Sequence, residues 1–84
     1  MPDIRSAVHS YILREFLAGE DPAELTDETP LITGGILDSI STLKLVSFIE
    51  NEFHVVVEAH EAGVENLDSV ARITKLVASK NAAA

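Results

Sequence analysis

The sequence contains no cysteine, only six basic residues and no long apolar run. The absence of cysteine excludes disulfides, a cysteine nucleophile and thiolate metal sites, so any thiol chemistry must come from an added group. No apolar segment approaches the roughly 20 residues of a membrane-spanning helix. The N-terminus also lacks the apolar core of a signal peptide. These absences predict a soluble, cytoplasmic protein.

Acidic residues outnumber basic ones by fourteen to six, which gives a net charge of −8. All the acidic residues except Asp3 lie between Glu15 and Asp68, where Lys44 is the one basic residue. An acidic middle repels nucleic-acid phosphates and anionic membranes, and it attracts partners with basic patches. Solubility explains the same charge equally well. The charge therefore predicts no binding to nucleic acid or membranes.

Apolar residues at helical spacing predict three main helices in a single domain of residues 1–80. The first covers residues 3–17, the second covers 38–53, and the last follows a cap at Asp68 or Ser69. A short helix is predicted at 58–62, and residues 81–84 are predicted to form a disordered tail. The expected fold is all-α: a small four-helix bundle of three main helices plus one short helix.

A long first loop at residues 18–37 joins the first two predicted helices. Prolines and glycines punctuate it, and several leucines and isoleucines lie within it. Loops of this length are uncommon in small domains and are often functional. The apolar residues predict that this loop packs onto the core. Residues 55–57, three consecutive valines, are predicted to form an extended link.

The segment most informative about function is Gly34-Gly35-Ile36-Leu37-Asp38-Ser39-Ile40. Ser39 is predicted to lie in the first turn of the central helix, with Asp38 as N-cap. Free backbone N–H groups and the helix dipole favour a phosphate at such a position. Asp38 opposes that charge somewhat, but it could cap the helix or help to hold a metal during modification. An Asp-Ser pair at a helix start is otherwise ordinary capping chemistry.

Asp38-Ser39-Ile40 resembles the Asp-Ser-Leu attachment motif of the acyl carrier protein family. Within the same helix the resemblance continues at Leu43, Leu45, Val46, Ile49, Glu50, Glu52 and Phe53. Outside this helix it includes Thr29-Pro30-Leu31, Gly35 and Glu65-Asn66-Leu67-Asp68-Ser69-Val70. The tripeptide alone is weak, but together with this helix pattern and the total length it is specific.

The resemblance implies a carrier without catalytic residues. A phosphopantetheinyl transferase would attach 4′-phosphopantetheine from coenzyme A to Ser39, and the thiol of this arm would carry an acyl or aminoacyl thioester. It also implies a loading ligase and a downstream transferase or synthase as partners. The expected partner-recognition residues are Ile40, Leu43 and Lys44, of which Ile40 and Leu43 should face partners because they lie close to Ser39. The sequence gives no oligomer signal, so a monomer is expected.

The sequence departs from many fatty-acid carriers in two places. Ile36-Leu37 precedes Asp38-Ser39 where those carriers often have Gly-Ala or Gly-Leu, and the variant resembles D-alanyl, peptidyl and aminoacyl carriers. Lys44 puts a positive charge where fatty-acid carriers are often acidic, which disfavours docking with fatty acid synthase enzymes. We therefore expect a specialised carrier, with an aminoacyl cargo slightly favoured. The alternative is an unmodified acidic helical module that binds a basic partner.

Other chemistries fit the sequence less well. Ser39 lacks the glycine-flanked elbow of a serine hydrolase, although His9, His54 and His60 are available. The histidines near Glu58 do not match the His-Glu-x-x-His zinc motif. Residues 21–28 lack the ligand order of a calcium-binding loop. No catalytic and no metal-ligating residue is therefore predicted.

Overall fold

The computed structural model describes residues 3–83, with the side chains of residues 3–21 and 23–80. Its α-helices are α1 (Ile4–Phe16), α2 (Ser39–Phe53), α3 (Val64–Leu67) and α4 (Val70–Ala83), and single 3₁₀ turns lie at Pro22–Glu24 and Ala59–Glu61. None of the described residues forms a strand. The predicted all-α fold, with three main helices, one short helix and a long first loop, is confirmed.

The short helix lies later in the chain than predicted. Glu58 and Glu61 form a capping box, but it starts only the 3₁₀ turn Ala59–Glu61. Gly63, the residue directly after the predicted helix, is the N-cap of α3. The turn does not continue because nothing apolar within it is buried, whereas α3 buries Leu67. The prediction of a helix at 58–62 was therefore wrong in position.

Helix α1 packs mainly against α4, and α2 packs across both the loop and α1. Val8 and Ile12 of α1 meet the core stripe of α4, which includes Val70, Ile73 and Val77. Tyr11 stacks on Phe48 of α2 with ring centroids 4.0 Å apart, and its hydroxyl donates to the Lys44 carbonyl oxygen at 3.2 Å. These contacts fix the direction of α2.

The long loop packs onto the core, as predicted. The loop buries three of its own side chains in the core, those of Leu25, Leu31 and Leu37. His9 Nε2 lies 2.7 Å from the Leu25 carbonyl oxygen, and the backbone N–H of Ala71 donates to the Asp27 carbonyl oxygen. The loop is therefore an ordered part of the bundle that leads from α1 to the start of α2.

Helix α4 is capped by Ser69, whose hydroxyl accepts from the backbone N–H of Arg72 at 3.2 Å. This leaves the Asp68 side chain for another role. The helix continues to Ala83. The predicted disordered tail at 81–84 falls on residues whose side chains are outside the described part of the chain, and residue 84 is outside it altogether. The domain boundary at residue 80 therefore stays a prediction.

Candidate functional site

Ser39 is the first residue of α2, and it is exposed. The preceding Asp38 has an extended backbone, and its Oδ1 accepts from the backbone N–H of Ser41 at 2.8 Å. This hydrogen bond to the charged form lowers the pKa of Asp38. Asp38 is therefore the N-cap of α2, as predicted. Its carboxylate is held against the backbone of the first turn. The arrangement presents the Ser39 side chain at the positive end of the helix dipole.

The loop that delivers Ser39 is tied to the start of α4. The Leu31 N–H donates to the Asp68 carbonyl oxygen at 2.6 Å, and the Leu37 N–H donates to the Leu31 carbonyl oxygen at 2.8 Å. Asp68 Oδ1 also accepts from the backbone N–H groups of Ile32 and Thr33, at 2.8 and 2.9 Å. These bonds run from α4 through Leu31 to the residue next to Asp38, so they fix where α2 begins.

The carboxylate of Asp68 is the centre of this tie. Its Oδ2 accepts from the Thr33 hydroxyl at 2.9 Å. Hydrogen bonds from the backbone and hydroxyl of Thr33 lower the pKa of Asp68, because they stabilise the charged carboxylate. From the sequence, the one structural role expected of Asp68 was that of a possible helix cap. The signal that could have indicated another role is the adjacent Ser69, which can cap α4 by itself.

A groove of about 520 Å³ runs beside Ser39, and we call it the Ser39 groove. One side is formed by the loop and α2, and the other by residues 62–64, which we call the groove wall. Its lining residues are Ile32, Leu37, Asp38, Ser39, Thr42, Leu43, Val46, Ala62, Gly63 and Val64. The lining is mainly apolar, and a chain attached to Ser39 could lie in it.

The apolar pattern of α2 alone does not distinguish residues that pack in the core from residues that line a groove. The structure assigns Leu43 and Val46 to the Ser39 groove, while Ile49 is fully buried in the core. The difference follows from position along the helix. Leu43 and Val46 lie in its first two turns, near Ser39 and the groove wall, whereas Ile49 lies deeper in the bundle.

The exposed face of α2 beside Ser39 is apolar and carries one cation. The side chains of Ile40 and Leu43 are 67% and 66% exposed, and Lys44 is also exposed. These three residues line a second groove of about 570 Å³ between α1 and α2, together with Tyr11 and Phe48. The structure therefore groups the three predicted recognition residues on one face, which we call the recognition face.

The three histidines do not converge on Ser39 in the hydrogen bonds of the described residues. His9 is bonded to the first loop, His54 ends α2 in a left-handed conformation with φ 55°, and His60 lies in the second 3₁₀ turn. Within residues 3–83, no cluster of three or more His, Asp and Glu side chains is arranged to hold a metal. The same residues include no helix with both the length and the apolar character needed to cross a membrane.

Similarity to known proteins adds to this geometry. No family model matches the sequence. A D-alanyl carrier protein of Streptococcus suis (strain 98HAH33) is 31% identical over 71 residues, which cover 84% of this chain and 86% of that protein. A D-alanyl carrier protein of Streptococcus mutans serotype c (strain ATCC 700610 / UA159) is 34% identical over the same coverage. This chain belongs to the carrier protein family.

These relatives confirm the resemblance to carrier proteins that was first recognised at Asp38-Ser39-Ile40. The matched length is nearly the whole of both chains, so the similarity is not confined to the motif. The chain is therefore a carrier protein. The exposed start of α2 and the Ser39 groove are the features of the fold that such a role can use.

Proposed function

We propose that this carrier holds an acyl or aminoacyl group as a thioester on a 4′-phosphopantetheine arm attached to Ser39. The observation that carries the proposal is the exposed Ser39 at the N-terminus of α2, next to the Ser39 groove. The arm supplies the thiol that the chain lacks. The protein contributes position, shielding and a surface for partner enzymes.

The residues around Ser39 fit a phosphodiester. The N-terminus of α2 presents backbone N–H groups and a partial positive charge, both of which stabilise an anion. In the attachment, the Ser39 oxygen forms a bond to the phosphorus of coenzyme A that bears pantetheine. The pyrophosphate P–O bond breaks, adenosine 3′,5′-bisphosphate leaves, and the hydroxyl proton passes to a base. A phosphopantetheinyl transferase supplies this base, since the hydrogen bonds of the described residues place no histidine beside Ser39.

The Ser39 groove would receive the arm. Leu37, Leu43 and Val46 offer apolar contacts, and Thr42 lies one turn after Ser39 on the same helix. The Thr42 hydroxyl donates to the Asp38 carbonyl oxygen at 2.7 Å, so it belongs to the first turn and leaves the groove open. Residues 62–64 would then flank the arm on the side of the groove opposite α2.

An aminoacyl cargo is favoured over a fatty-acyl cargo. The relatives in the two streptococci are named for D-alanine. On α2 the recognition face carries Lys44 and no carboxylate, since the next acidic residue of that helix is Glu50, and Glu15 of α1 lines the far side of the groove. This face suits a loading ligase and a downstream transferase with apolar and acidic docking surfaces rather than basic ones. A monomer in the cytoplasm, where coenzyme A is available, completes the proposal.

The attachment site is tested by peptide mapping after incubation with coenzyme A and a broad-specificity phosphopantetheinyl transferase. We expect the added group on Ser39 in the native chain and in the matched variant Ser41→Ala, because alanine keeps the backbone N–H that residue 41 donates to the cap. Modification at Ser41 or Ser47 would contradict the assignment. No modification by a transferase that is active on another carrier would favour the unmodified interaction module instead.

The recognition face is tested by reversing its one cation. We expect Lys44→Glu to lower kcat/KM of the aminoacyl-loading ligase by about tenfold, because it opposes an acidic docking surface. The matched variant Lys75→Glu changes an exposed lysine of α4 and should alter kcat/KM by less than about twofold. Steady-state loading kinetics on the phosphopantetheinylated variants give both values. Equal effects of the two substitutions, or faster loading of Lys44→Glu, would overturn the assignment of this face.

A further inference from the structure

The groove wall belongs to a part of the chain that has few buried side chains. Residues 55–63 contain no α-helix, and no residue from Glu58 to Asn66 is buried. The nearest buried neighbours are Val57 and Leu67. Segments with few buried apolar contacts open locally at a low free-energy cost. Ala62 packs against the edge of the core, but it is only partly buried, so apolar packing alone holds residues 62–64 weakly.

A single ion pair ties this segment to the last helix. Lys80 Nζ of α4 lies 2.6 Å from Glu61 Oε1, and the two side chains are only 19% and 22% exposed. The other two ion pairs among the described residues are much more exposed, at 41–47% and 45–66%. Lys80 is the first cause of a lowered pKa at Glu61, so the carboxylate stays charged.

Glu61 also organises its own segment. Its Oε1 accepts from the backbone N–H of Glu58 at 3.0 Å, and its carbonyl oxygen accepts from Asn66 Nδ2 at 3.1 Å. The bond from Asn66 spans the groove wall, since residues 62–64 lie between Glu61 and Asn66, and the bond from Glu58 fixes the turn just before it. Lys80 therefore holds the start of the wall through Glu61, while Arg72 of α4 donates to the Glu65 carbonyl oxygen at 3.0 Å just beyond its end.

We propose that Glu61 and Lys80 are positioning residues for the Ser39 groove. Their ion pair holds residues 62–64 opposite α2, and this sets how far the groove shields a cargo thioester from water. The shielding of a thioester rests on the proposed function, whereas the ion pair between Glu61 and Lys80 is a property of the unmodified chain. Because ion pairs are screened by salt, opening of the wall should increase with ionic strength.

The first test is amide hydrogen exchange of the unmodified protein, followed by mass spectrometry. Lys80→Met keeps the aliphatic stem and removes the charge, and we expect the amides of residues 58–64 to exchange about fivefold faster. Lys75→Met makes the same change at an exposed position of the same helix and should leave this exchange unchanged. Lys80→Arg should restore native protection, because it restores the charge.

The exchange rate of the α1 amides distinguishes local opening of the groove wall from loss of the whole fold, because only loss of the fold would expose α1. We expect it to be the same in all four proteins. If Lys80→Met exposes α1 as well, Glu61→Gln takes its place, since the glutamine oxygen can still accept from the Glu58 N–H. Unchanged exchange at residues 58–64 in a folded variant would overturn the proposal.

The second test follows hydrolysis of the loaded thioester. In Lys80→Met the thioester should hydrolyse about threefold faster than in the native chain, in proportion to the open population of the wall. Lys75→Met should match the native rate. Faster exchange with an unchanged hydrolysis rate would overturn the shielding role. A failure of phosphopantetheine attachment would count against the proposed function alone, because hydrogen exchange tests the tie without the arm.

Discussion

Replacing Leu31 with alanine is expected to lower the free energy of unfolding by about 3 kcal/mol. Leu31 lies in the long loop, yet its side chain is fully buried in the core. Truncation removes apolar contacts and leaves a cavity beneath the loop. Its backbone also links Asp68 to Leu37, so little relaxation is possible there. Urea denaturation of the two proteins measures the difference.

Leu43→Ala is the matched control for this prediction. It deletes the same atoms from a side chain that is 66% exposed, so the free energy of unfolding should change by less than about 0.5 kcal/mol. A similar loss in both variants would mean that the loop does not pack as described. A small loss in Leu31→Ala would lead to the same conclusion.

Gly34→Ala is expected to destabilise the chain by about 2–3 kcal/mol. A β-carbon at Gly34 would stand 2.2 Å from the carbonyl oxygen of Pro30, with the Pro30 carbonyl carbon and ring close behind. The clash is mainly with backbone, so the turn of residues 31–35 must shift to admit a methyl group. That turn is fixed by the Asp68 hydrogen bonds, which oppose the shift. Thermal and urea denaturation measure the loss.

The neighbouring glycine provides the comparison. Gly35 has φ +85°, but a β-carbon there meets nothing within 4 Å. Gly35→Ala therefore carries only the backbone strain of a left-handed residue, about 1 kcal/mol. We expect Gly34→Ala to be clearly the more destabilising of the two. The reverse order would show that backbone conformation, rather than the contact with Pro30, determines the turn.

The helices and the position of Ser39 could be predicted because their signals are local. Asp38 precedes a regular apolar stripe, and an aspartate there caps the following helix. The same reasoning placed Ser39 in the first exposed turn. Burial of Leu25, Leu31 and Leu37 could also be predicted, since leucines in a loop of a small domain must pack somewhere.

Contacts between distant parts of the chain could not be predicted in this way. The Asp68 carboxylate meets Ile32 and Thr33 across 36 and 35 residues, and no local pattern indicates such a pairing. The same holds for the groove wall, which comes from residues 62–64 and faces the start of α2. The short helix was misplaced because the capping box of Glu58 and Glu61 starts only a 3₁₀ turn, while the helix begins after Gly63, where Leu67 can be buried.

The intact mass of the protein tests the central claim most directly. The native chain and Ser39→Ala are each incubated with coenzyme A and a phosphopantetheinyl transferase, and then with ATP, D-alanine and a D-alanine-activating ligase. We predict one phosphopantetheine on the native chain and none on Ser39→Ala, and D-alanine, removable by hydroxylamine, serves as the test case for the aminoacyl cargo that we propose. Phosphopantetheine without D-alanine would reject that cargo and retain the carrier arm. An unmodified native chain, or equal modification of Ser39→Ala, would contradict the account.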